Sequence, residues 1–235
     1  RSNRNQSCID LENPDRLVFP YVKMMFSGLL VNPEPERILM VGLGGGSIPR
    51  TFHEVYPDTT QDLVEIDEAV VRVAERFFMF TPNQRMRVHV RDARVFVKRA
   101  LARGQKYDYV MLDAFTGEYI PEHLLTKEFL EEVRGILAPG GVLVANTFSS
   151  SRLYDHETAT YKAVFEHLAE VTLPTSLNRI LVAYDGDWPA ATVVADRAEA
   201  LGGVMRRYGV ELDALAENMT RALTDQYAPA NLLSQ

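Results

Sequence analysis

The stretch Val41-Gly42-Leu43-Gly44-Gly45-Gly46-Ser47-Ile48-Pro49-Arg50 narrows the possible folds more than any other. The residues before it, Arg37-Ile38-Leu39-Met40-Val41, form a short apolar run with the branched side chains of a buried parallel strand. The run ends in glycines, which let the backbone turn sharply and approach a ligand closely. Ser47 is then placed to cap a helix continuing through Pro49 and Phe52 to about Val55. Strand, glycine turn and helix N-terminus make the nucleotide-binding corner of an open α/β sheet. The spacing is G-x-G-x-G, not the G-x-G-x-x-G of dinucleotide sites.

A second apolar strand follows, Asp62-Leu63-Val64-Glu65-Ile66-Asp67, and it stops on acids. An acid at this point of such a sheet accepts hydrogen bonds from ribose hydroxyls. The same acids also suit the N-terminus of a helix over 68–78. The two readings are compatible, with Glu65 on the ribose and Asp67 as the cap.

The alternation continues. Residues 86–90 read as a third strand ending near Asp92, and a helix stops at Gly104. Residues 107–112 form a fourth strand ending at Asp113, and a helix spans 126–137. Pro139-Gly140-Gly141 turns into a fifth strand over 142–146. Residues 154–167 read as helix, 170–173 and 179–183 as a closing antiparallel pair, and the remainder as helix and tail. Ahead of the first strand, the apolar residues of 17–31 suit a helix lying on the sheet, preceded by a short strand or hairpin over 6–11. Five strand–helix alternations predict a doubly wound α/β fold with a mostly parallel sheet, expected to have seven strands. Ligands in such sheets bind beyond the carboxyl ends of the strands, where Gly42, Glu65, Asp92 and Asp113 converge. Asp92 also suits the cap of the helix that follows it, and Asp113 the start of a turn.

Composition narrows the function. A net charge of −7 disfavours nucleic acid as the main partner. Arg85, Arg87, Arg91, Arg94, Lys98 and Arg99 alternate with apolar residues and read as solvated faces. The single cysteine, Cys8, allows neither an internal disulfide nor a cysteine metal cluster and suits a reducing cytoplasm. The five histidines lack metal-ligand spacing, so no metal is expected. The apolar window at 17–31 is broken by Lys23 and too short to span a bilayer. No secretory signal is evident, although the chain opens on Arg1 as a fragment of a longer protein would.

The motifs together resemble the spermidine synthases, or polyamine aminopropyltransferases, which share the class I S-adenosylmethionine-dependent methyltransferase fold. The carriers are Tyr21-Val22-Lys23-Met24-Met25, VGLGGGSIPR, VEIDEAVVRVAERFF, VRDARVFV, YDYVMLDAF and LAPGGVLVANTF. The resemblance implies a Rossmann-like catalytic domain over 36–235, with 1–35 as the remnant of the family's N-terminal β-domain. It implies a nucleoside site of Gly42, Gly44, Gly46, Glu65, Ile66, Asp92, Ala93 and Asp113. Within it Glu65 holds the ribose, Asp92-Ala93 recognises adenine, and Asp113 is the base for the attacking amine. Tyr21, Thr116 and Glu118 are expected on the acceptor side.

The departures concern the cationic ligand. Gly45 stands where the family's glycine motif carries an acid. Thr116 replaces the second acid of the family's D-S-S-D-P loop, Val22 replaces a glutamine, and Pro174-Thr175-Ser176-Leu177 lacks a tyrosine. The implied activity is aminopropyl transfer from decarboxylated S-adenosylmethionine to a polyamine-type amine by a cytoplasmic homodimer. One alternative is a methyltransferase using S-adenosylmethionine in the same pocket, which the loss of the acid at Gly45 favours. A second is a non-catalytic nucleoside-binding module.

Overall fold

The computed structural model describes residues 7–115, 120–221 and 233–234. Its strands are β1 (Arg37–Val41), β2 (Thr60–Glu65), β3 (Met86–Val90), β4 (Tyr107–Leu112), β5 (Leu137–Phe148), β6 (His167–Thr172), β7 (Asn178–Tyr184) and β8 (Met219–Arg221). They form one sheet in the order β3-β2-β1-β4-β5-β7-β6-β8. The first five are parallel, and β7 and β8 run antiparallel to their neighbours. The helices are α1 (Pro20–Met24), α2 (Ser47–Val55), α3 (Glu68–Phe77), α4 (Ala93–Ala102), α5 (Lys127–Ile136), α6 (Tyr154–Val164), α7 (Ala191–Met205) and α8 (Leu212–Glu217).

Strand periodicity sorts the core onto the two faces. Ile38 and Met40 of β1, Val142 and Val144 of β5, and Ile180 and Val182 of β7 pack with Met24, Phe52, Val71 and Met205 on one face. Leu39, Val41, Leu143, Ala145, Leu181 and Ala183 pack with Val97, Phe129, Val133 and Tyr161 on the other. Residues 17–31 belong to the first face. Phe52 is fully buried, stacked on Phe26 at 4.7 Å and edge-on to Tyr109 at 5.2 Å, so its loss to alanine should cost about 3–5 kcal/mol.

Several expectations need correction. Among the described residues the sheet has eight strands, not seven. β8 is three residues pairing with β6 at Val171↔Met219 and Ala169↔Arg221, too short to show a strand pattern. Ser47 is the first residue of α2, not its cap. Gly46 holds the cap position in the left-handed region, at φ 72°, and no side chain caps the helix. The helix on 17–31 tightens after Met24 into a 3-10 turn over Met25–Leu30. There Tyr109 Oη donates to the Met25 carbonyl at 2.7 Å, and Gly28 leaves room for the phenol. β5 begins early, at Leu137. The residues between Leu137, opposite Tyr107, and Val142, opposite Tyr109, bulge out of the ladder. α6 stops at Val164, and His167 already opens β6. Among the described residues no helix is long and apolar enough to cross a membrane.

Candidate active site

In the sheet order the chain winds outward from β1 through β2 to β3, then returns to the other side of β1 with β4. That reversal opens a crevice between the ends of β1 and β4. Gly42 closes β1 there, its N–H donating to Val64 O at 2.8 Å, while the Asp113 N–H donates to Val41 O at 2.8 Å. Gly42 has φ 91°, and a side chain on it would run into the Asp113 peptide, whose carbonyl carbon lies 2.8 Å from the Cβ position. Only glycine lets the two strand ends come this close.

The crevice is a cleft of about 690 Å3, and its lining includes Tyr21, Gly42, Gly44, Glu65, Ile66, Asp92, Ala93 and Asp113. Eight of the expected residues therefore meet at one site. Gly46 does not line it. The left-handed Gly46 turns the chain into α2, and the Phe80 ring lies 2.6 Å from where its Cβ would be. Packing against Phe80 and the positive φ both require glycine there. Thr116 and Glu118 lie outside the described residues.

Each acid in the cleft is also a structural strut. Glu65 accepts the Leu43 N–H on Oε2 and the Asp67 N–H on Oε1, both at 3.0 Å, tying the glycine turn to the end of β2. Asp67 caps α3 by accepting the Ala69 N–H at 2.7 Å. Asp92 caps α4 through the Val95 N–H at 2.9 Å, and its other oxygen meets His123 Nε2 at 3.1 Å. Asp113 accepts from Asn146 Nδ2 at 2.8 Å. Burial, opposed by that hydrogen bond and reinforced by the Glu65 charge, pushes the Asp113 carboxyl up from 3.8 to about 7. The Tyr21 hydroxyl is pushed up by burial and then by the Asp113 charge, so it stays neutral.

Sequence reasoning missed Asn146, Asn178 and His123, which also line the cleft. Asn178 Nδ2 donates to Asn146 Oδ1 at 2.8 Å, so two amides in series hold the Asp113 carboxylate. Asn146 lies near the carboxyl end of β5, as Asp113 follows that of β4, and the strand-end rule could have found it. Phe115 and Phe148 pack edge-on at 5.1 Å and give the cleft an aromatic wall. Among the described residues, no cluster of three or more His, Cys, Asp or Glu is arranged to hold a metal.

Comparison with known proteins gives the family and the fold. The model of the spermine/spermidine synthase domain matches residues 19–182. A polyamine aminopropyltransferase of Vibrio vulnificus is 48% identical over 245 residues, covering 99% of this chain and 82% of its own. The polyamine aminopropyltransferase of Chromobacterium violaceum is 32% identical over 233 residues, covering 97% of this chain and 86% of its own. Among solved structures, human methyltransferase-like protein 13 in complex with SAH superimposes with a TM-score of 0.74 at 29% identity, covering 91% of this chain and 99% of that one. The fold is thus the Rossmann-like one of class I methyltransferases, and the chain belongs to the spermine/spermidine synthase family.

Proposed function

We propose that this chain transfers an aminopropyl group from decarboxylated S-adenosylmethionine to a polyamine-type amine. The observation that carries the reading is Asp113, a half-buried carboxylate at the β1–β4 crevice whose pKa of about 7 suits a general base at neutral pH. The cleft fits the donor. Its volume of about 690 Å3 lies within the roughly 300–1,000 Å3 of small-molecule sites. Its three described carboxylates outnumber its one arginine, Arg91, which favours a cationic ligand bearing hydroxyls over a phosphorylated one.

Glu65 would hold the ribose hydroxyls with the lone pairs that its two backbone contacts leave over. Asp92 and Ala93 would face the adenine edge, with the exposed side chain of Ile66 against its ring. When bound, the donor supplies a carbon made electrophilic by the neighbouring sulfonium. Asp113 takes the proton from the attacking amine, and the positive charge nearby favours its ionised form at that moment. Tyr21, kept neutral, offers a hydroxyl that positions the amine.

One observation favours a second reading, methyl transfer from S-adenosylmethionine. The Phe78 ring lies 2.7 Å from the Cβ position of Gly45, in the space an acid there would need. The donor end then lacks one charge that would repel a carboxylate. Incubation with each donor and a short aliphatic diamine separates the two. Methylthioadenosine released from the decarboxylated donor is the expected product. S-adenosylhomocysteine released from S-adenosylmethionine, with no methylthioadenosine from the other donor, would overturn the proposal.

A further inference from the structure

A second cavity, of about 210 Å3, lies beside the nucleoside cleft between the β3 edge of the sheet and α4. Two periodicities build it. Arg87, His89 and Arg91 alternate along β3 and its end, while Phe96, Arg99, Ala100 and Arg103 recur along one side of α4 and its C-terminus. Its floor is Asp62, only 4% exposed. That carboxylate is fully engaged, by Arg87 at 3.2 Å, His89 at 2.7 Å and the Tyr107 hydroxyl at 2.9 Å. The His89 ring is held against Phe96 at 4.9 Å.

Arg91, Arg99 and Arg103 have no acidic partner among the described residues. Arg94 of the same helix shows the contrast, because it points away and binds Glu132 through two hydrogen bonds of 3.0 and 2.9 Å. Three unneutralised guanidinium groups around one concavity repel one another, in a chain whose net charge is −7. Their side chains are solvent-exposed, and the strand and the helix place them around a shared space. Guanidinium forks match phosphate oxygens in both charge and geometry. The volume is below the roughly 300 Å3 at which drug-sized sites begin, so it suits a small polyanion and not an extended ligand.

We infer that this arginine-lined cavity binds a phosphate-class oxyanion, separately from the nucleoside cleft. The anion is a free polyphosphate or the phosphate end of a nucleotide. Arg91 borders both cavities, so it is left unchanged in the test. Arg99 and Arg103 are exposed on α4 and just after it, and their replacement should leave the fold intact.

The test is calorimetric titration at low salt with inorganic phosphate, pyrophosphate and ADP, using wild-type protein and Arg99→Ala/Arg103→Ala. Sodium chloride at matched ionic strength is the control. Pyrophosphate should bind saturably to the wild type and be weakened about tenfold for each arginine removed. ADP binding more tightly than pyrophosphate would identify the nucleotide as the source of the phosphate, and the reverse order would identify free polyphosphate. Absence of saturable binding by all three anions would overturn the inference, as would equal affinity in the double variant. Neither outcome depends on transferase activity.

Discussion

Replacing Asp113 by asparagine tests both the charge of the site and its chemistry. The carboxyl releases its proton near 3.8 in the unfolded chain and near 7 in the folded one, chiefly because it is buried. Between those values the folded protein holds a proton that the unfolded chain has lost. Stability is therefore greatest below about pH 4 with respect to this group, and is lost as pH rises towards 7. Roughly three pH units at about 1.4 kcal/mol each set a ceiling near 4 kcal/mol. The Asp113→Asn side chain cannot ionise, and its amide oxygen can still accept from Asn146. The variant should therefore gain stability relative to the wild type as pH is raised from about 5 to 8, levelling off above 7. Thermal melts across that range measure the difference, at about 2–4 °C per kcal/mol for a chain of this size. Groups that titrate alike in both proteins cancel. The same variant should lose about two to four orders of magnitude in turnover. In the wild type, kcat/KM should fall as pH drops below about 7, because the base protonates in the free enzyme. A stability difference that stays flat with pH would refute the desolvated, proton-holding carboxyl, and an unchanged turnover would refute the base.

Two further substitutions test the glycine turn. Gly42→Ala meets both the positive φ and the Asp113 peptide and should cost about 2–4 kcal/mol in a denaturant titration; a loss below 0.5 kcal/mol, about the effect of an ordinary surface substitution, would show that the strand ends can separate freely. Gly45→Asp should destabilise by collision with Phe78, whereas Gly45→Asp with Phe78→Ala should fold and shift preference towards decarboxylated S-adenosylmethionine. The wild type should bind the two donors within about tenfold, or 1.4 kcal/mol, so an unchanged preference in the double variant would remove the argument from the missing acid.

The strand ends were legible because β1, β2 and β4 carry apolar runs that stop abruptly on a glycine or an acid, and β3 alternates up to Asp92. Gly42, Glu65, Asp92 and Asp113 were found by that rule and line one cleft. What was not legible depends on pairing across the sheet. Asn146 and Asn178 lie far apart in sequence, yet the antiparallel register that sets Asn146 opposite Ile180 brings their amides together. The arginines read as solvated faces divide for the same reason. Arg94 turns to Glu132, while Arg87 pairs with Asp62 and Arg91, Arg99 and Arg103 line the same cavity between β3 and α4. β8 escaped notice because three residues carry no period.

The cleft's acids tie the glycine turn to the proposed chemistry. Glu65 fixes the turn through the Leu43 N–H, Asp92 starts α4 through the Val95 N–H, and Asp113 is held by Asn146. A carboxylate already bound by backbone or amide donors needs little reorientation when a cation arrives, so its field is set before the reaction begins. The cost falls on the folded state, which must keep Asp113 in a place where ionisation is resisted. Replacing Glu65 to probe ribose binding would also release two backbone N–H groups, each an unsatisfied donor worth about 1–3 kcal/mol if buried. Asp113, whose partner is a side chain that an amide can still satisfy, is therefore the acid at which function and fold can be separated most cleanly.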